Sequence, residues 1–93
     1  MILLPSIKIS SNKFNDICEF MIDSDSSVNL IKFNSLNNPA IDTEDNFTLR
    51  GLAHTPVKTF GSITMEVLKR IVKFYVVPDN ITFQYHGILD TEF

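Results

Sequence analysis

Ninety-three residues, 44% of them apolar and including eight Phe and two Tyr, can build one hydrophobic core and are too few for a second. A net charge of −3, with Lys and Arg scattered along the chain, supplies none of the clustered positive surface that phosphate backbones or anionic lipid require, so neither nucleic acid nor a membrane is an expected partner. Cys18 is the sole cysteine, which excludes an internal disulfide and a cysteine-based metal site and suits a reducing, intracellular setting, the cytoplasm being the expected compartment.

The chain opens on Met1-Ile2-Leu3-Leu4, but Pro5 and Lys8 interrupt this run and no basic leader precedes it, so a signal peptide is not expected. No later stretch reaches the ~20 apolar residues of a membrane span. The dominant period is two, the mark of strands with one buried face. Ile7 and Ile9 alternate with Lys8 and Ser10, and this places a strand near residues 2–9. A second is expected near 14–22, where Ile17 to Ile22 is apolar enough for a strand covered on both faces. Ser27 to Phe33 has room for a brief helical turn, and the polar stretch Asn34 to Asn46 reads as loop. Phe47 and Leu49 then alternate with Thr48 and Arg50, and Ile63, Met65 and Val67 with Thr64 and Glu66, giving strands near 47–53 and 57–67. Val72 to Val77 is continuously apolar and β-branched or aromatic, a central strand near 70–77. A second helical turn is expected to begin at Asp90. The fold class that follows is all-β, a small meander of short strands.

The sharpest local signal is Phe20-Met21-Ile22-Asp23-Ser24-Asp25-Ser26-Ser27-Val28-Asn29-Leu30-Ile31, in which an apolar strand delivers an aspartate into a loop of small hydroxyl residues. Taken alone, such an aspartate most often caps a turn. An EF-hand reading of Asp23, Asp25, Ser27 and Asn29 fails because Val28 stands at the central glycine position and Asn34 at the final glutamate. A phosphatase of the haloacid-dehalogenase type would need a parallel α/β sheet that this chain is too short to form. His54 and His86 have no third ligand in view, so no metal site is expected. Cys18, between Ile17 and Glu19, reads as a packed thiol.

The segment around Asp23 resembles the active-site segment of retropepsins, Asp-Ser/Thr-Gly followed by small residues and an apolar pair. Two further stretches carry the resemblance. Phe47-Thr48-Leu49-Arg50-Gly51-Leu52, with Val57 to Val67 and Gly61, is similar to the flap hairpin of the protease domains of gypsy-class retrotransposons; Phe83-Gln84-Tyr85-His86-Gly87-Ile88-Leu89-Asp90-Thr91-Glu92-Phe93 is similar to their second signature. The resemblance implies a small closed antiparallel β-barrel with a flap, a single domain over residues 1–93, and an aspartic endopeptidase that cuts a retroelement polyprotein without cofactor or metal. It implies a homodimer in which Asp23 comes from each subunit, one carboxylate acting as base toward a water and the other as acid toward the scissile carbonyl. Ser24, Asp25 and Ser26 form the active-site loop, with the Ser24 hydroxyl bonding across the dimer. Gly51, Leu52, Ala53 and His54 belong to the flap over an extended peptide, and Ile88 packs beneath the loop. At Asp25 and Asp90 this sequence has aspartate where the family has glycine. Added like charge near the dyad is expected to weaken activity while sparing the monomer fold. The alternative is therefore a remnant that retains the fold as an interaction module. The family continues past the position of Phe93 into a helix and a dimer strand, which are expected to be missing here.

Overall fold

The computed structural model describes residues 5–23, 27–50, 55–81 and 83–90. Eight strands follow one another: β1 (Ser6–Ile9), β2 (Cys18–Asp23), β3 (Asn29–Lys32), β4 (Thr48–Leu49), β5 (Val57–Lys58), β6 (Gly61–Val67), β7 (Arg70–Val77) and β8 (Gly87–Asp90). A single turn of 3-10 helix, Phe33–Ser35, follows β3. The described residues contain no α-helix, and none of their helices is long and apolar enough to cross a membrane. The all-β expectation therefore holds.

Six strands form one sheet in the order β1-β2-β8-β3-β7-β6, and β4 and β5 form a separate hairpin. The expected closed antiparallel barrel is corrected on two counts. Pairing is mixed, since β2 runs parallel to β8 and β3 parallel to β7. Among the described residues the sheet is also open, with β1 and β6 at its edges, and no closed barrel is found. Parallel pairs are tolerated where both faces are covered, and that is how β7 and β8 are used. Val72, Phe74 and Val76 of β7 face one cluster, with Cys18, Phe20, Ile31 and Leu89, while Tyr75 and Val77 face a second, with Leu30, Leu49, Ile81 and Ile88. Phe20 and Phe74 are fully buried with ring centroids 5.5 Å apart, and burying each is worth about 1.5–3 kcal/mol. In β6, by contrast, Ile63, Met65 and Val67 point inward while Thr64 and Glu66 are exposed, the one-sided alternation of an edge.

Several expected boundaries shift for local reasons. The second strand begins at Cys18, not near 14, because Asn15 Nδ2 is drawn to the carbonyls of Asn34 (2.8 Å) and Leu36 (3.1 Å), leaving Phe14 with only an isolated bridge to Leu36. The expected strand over 57–67 is two strands. Val57–Lys58 pairs with β4, whereas Gly61–Val67 pairs with β7, and the chain changes partners at Gly61, whose φ of +143° only glycine adopts readily. A Cβ there would meet the Asp42 carbonyl oxygen and the Ile41 side chain. The helical turn expected over Ser27 to Phe33 is strand β3 as far as Lys32, because Leu30 and Ile31 are buried on opposite faces between β8 and β7. Asp90 is the last residue of β8, and the helical turn expected to begin there falls on residues outside the described ones.

Candidate active site

Asp23 is the last residue of β2, carried out of the core by the buried Phe20 and the half-buried Met21 and Ile22. Its strand runs beside β8 with Phe20 opposite Gly87, Met21 opposite Ile88, Ile22 opposite Leu89 and Asp23 opposite Asp90. Since side chains alternate across a strand, Met21 and Asp23 share a face with Ile88 and Asp90. That face is the one covered by the second cluster, where Ile88, 2% exposed, packs with Leu30 and Met21 as a floor beneath the two carboxylates. The loop beneath which Ile88 is expected to pack, Ser24 to Ser26, lies outside the described residues. Neighbouring strands lie ~4.8 Å apart, so Asp23 and Asp90 are adjacent within one chain. Both are half-buried. The backbone N–H of Asp90 donates to Asn29 Oδ1 at 2.8 Å, which ties the end of β8 to the start of β3.

Insertion of β8 between β2 and β3 depends on Gly87. A Cβ at this position would run into the Leu30 carbonyl oxygen and the Phe20 ring, so no larger residue allows β8 to lie this close to both neighbours. The main chain closes around it: His86 N–H donates to Glu19 O (2.8 Å), Lys32 N–H donates to His86 O (2.9 Å), and Glu19 N–H donates to His86 Nδ1 (2.9 Å).

The β4–β5 hairpin lies over the same face, since Leu49 and Val57 pack into the second cluster with Leu30 and Ile88. Its base is fixed by Asp45. Lys73 Nζ (2.9 Å) and Ser62 Oγ (2.8 Å) donate to Asp45 Oδ2, and Tyr75 Oη donates to Oδ1 at 3.2 Å. The Lys73 hydrogen bond, more than any other interaction, holds the Asp45 carboxyl below its ordinary 3.8; Asp45 in turn raises Lys73 above its ordinary 10.5. Phe47 stacks on Tyr75 at 5.4 Å, and Thr59 exchanges hydrogen bonds with the Phe47 backbone.

Of the residues expected to form the site, Asp23 and Ile88 are brought together on one face. Ser24, Asp25, Ser26, Gly51, Leu52, Ala53 and His54 lie outside the described residues, as do Thr91 to Phe93. Asp90 and Asn29, from the two signature segments, and Asp45, from a segment that carried no such assignment, join the site. Asp90 had a signal in the sequence, its place in the Gly-Ile-Leu stretch; Asp45, in a polar loop, had none. Cys18 is 1% exposed, and burial pushes its thiol up, the state of an unreactive packing residue. Chemically, a strand-end carboxylate beside a second carboxylate on an apolar floor can accept hydrogen bonds or, when protonated, donate one. No family model, no curated protein and no solved structure matches this chain.

Proposed function

We propose that the chain is one half of a retropepsin-like aspartic endopeptidase, acting as a homodimer on an extended peptide such as a retroelement polyprotein. The observation that carries this reading is the register of β8: the Gly87-Ile88-Leu89-Asp90 segment inserts beside the strand bearing Asp23 and floors it, as the resemblance implies for its two signatures. The β4–β5 hairpin over that face supports a flap. In this mechanism one subunit's ionised Asp23 takes a proton from a water as the water oxygen attacks the scissile carbonyl carbon. The other subunit's Asp23, protonated, hydrogen-bonds the carbonyl oxygen. Collapse of the tetrahedral intermediate breaks the C–N bond, and the amine leaves with a proton from the pair.

A second reading, an interaction module without catalysis, is favoured by one observation. Asp90 sets a second carboxylate directly opposite Asp23 where the family has glycine, and like charges so placed repel. Incubation with a peptide library across acidic and neutral pH separates the two. Pepstatin-sensitive cleavage that disappears in Asp23→Asn establishes the protease. Absence of cleavage at every pH and protein concentration, with library peptides still bound, establishes the module.

A further inference from the structure

A cleft of about 390 Å³ opens between the start of β3, the end of β8 and the first half of β7. Its lining includes Val28, Asn29, Arg70, Ile71, Tyr75 and Asp90. Ile71 and Tyr75 share a face of β7 with Val77, which packs in the second cluster. Asp90, the cross-strand neighbour of Asp23, forms one wall of the cleft, and Arg70 and Val72 line it from the other face of β7.

The polar groups of the lining are mostly committed. Asn29 uses Oδ1 for the Asp90 N–H and donates Nδ2 to the Lys73 carbonyl at 3.2 Å, Tyr75 Oη donates to Asp45, and the Lys73 charge is balanced by the same carboxylate. The Arg70 guanidinium differs, making no hydrogen bond or ion pair among the described residues. It is presented by a tight turn in which Leu68 (φ 50°) and Lys69 (φ 67°) both take the left-handed conformation that such side chains disfavour. Next to it in the chain are two large apolar side chains with little cover, Ile71 at 75% and Leu68 at 59% exposure. A planar cation without a partner, flanked by open apolar surface at the mouth of a cleft, fits a carboxylate on a short hydrocarbon stem.

We infer that this cleft is a subsite for an acidic side chain, Asp or Glu, of an extended peptide, with Arg70 as the residue that selects it. The inference rests on the proposed function only in that a peptide runs past Asp90. The carboxylate pairs with Arg70 at the mouth, its stem packs on Ile71 and Val28, and Asp90 at the inner wall keeps the charge from passing deeper toward Asp23.

The test is equilibrium binding by fluorescence anisotropy to the full chain bearing Asp23→Asn, so that no peptide is cut. The probes are amide-capped extended peptides that differ only in one internal residue: Glu, Gln or Lys. The expected result is Glu bound about tenfold more tightly than Gln, the preference lost in Arg70→Gln and turned toward Lys in Arg70→Glu, with salt weakening it. Equal binding of Glu and Gln peptides overturns the inference, as does a Glu preference that survives Arg70→Glu. Selection of an uncapped C-terminal carboxylate irrespective of the internal residue overturns it too. Acidic selectivity in this assay combined with no cleavage by the native chain sinks the protease reading and leaves the subsite standing.

Discussion

Gly87→Ala is the smallest change that tests how β8 organises the candidate site. The added methyl would meet the Leu30 carbonyl oxygen, and would lie 2.6 Å from Cε1 and 2.7 Å from Cδ1 of Phe20. Phe20 is fully buried against Phe14 and Phe74, so its ring has little room to withdraw, and the Leu30 oxygen belongs to the backbone of the strand that pairs with β8. Overpacking of a filled core costs about 1–3 kcal/mol, and the upper end applies where the obstacle is main chain. For a domain of this length each kcal/mol moves Tm by about 4–8 °C, so a cost near ~3 kcal/mol lowers Tm by roughly 12–24 °C. Thermal and urea unfolding followed by circular dichroism measure it. Phe20→Leu removes the ring from the conflict but not the carbonyl, so adding Gly87→Ala to Phe20→Leu is expected to destabilise that variant further. An unfolding free energy for Gly87→Ala within ~0.5 kcal/mol of the native chain refutes the close approach of β8 to β3, and with it the position of Asp90 beside Asp23.

Asp90→Asn removes a like charge opposite Asp23 and is expected to stabilise the chain by about 0.2–1 kcal/mol in low salt, the gain shrinking as salt is added; destabilisation in urea titrations counts against mutual repulsion. Replacing Leu68-Lys69 by Asn-Gly supplies residues suited to two successive left-handed positions, and a rise in Tm of about 4–8 °C is expected; an unchanged Tm shows that the turn carries no strain. The Asp45–Lys73 pair sets a pH window for stability. Asp45 is depressed when folded, so its contribution is present above the ordinary 3.8 and is lost as pH falls through the lower folded value. Lys73 is raised, so its contribution is present below the ordinary 10.5 and is lost as pH rises through the higher folded value. The stability difference between the native chain and Asp45→Asn should therefore be flat across neutral pH and fall off at both extremes, and a difference that grows on acidification contradicts the ion pair.

Local periodicity in the sequence determined the all-β class and most of the long strands, because alternation along Gly61–Val67 and the continuous apolar run in Arg70–Val77 report how many faces of a strand are covered. It also showed Asp23 at the end of an apolar strand. Local pattern says nothing of which distant strand lies alongside. Asn29–Lys32 is short and apolar at only two positions, so its strand character came from β7 and β8 on either side rather than from its own residues. The open mixed sheet in place of a closed barrel has the same origin, since parallel pairing of β2 with β8 joins segments from opposite ends of the chain. Asp45, unremarkable in its loop, became the anchor of the hairpin only when Ser62, Lys73 and Tyr75 converged on it. The neighbouring Asp23 and Asp90 likewise exist only in the folded chain, because register between strands is fixed by long-range packing around Gly87 and not by the residues adjacent in sequence.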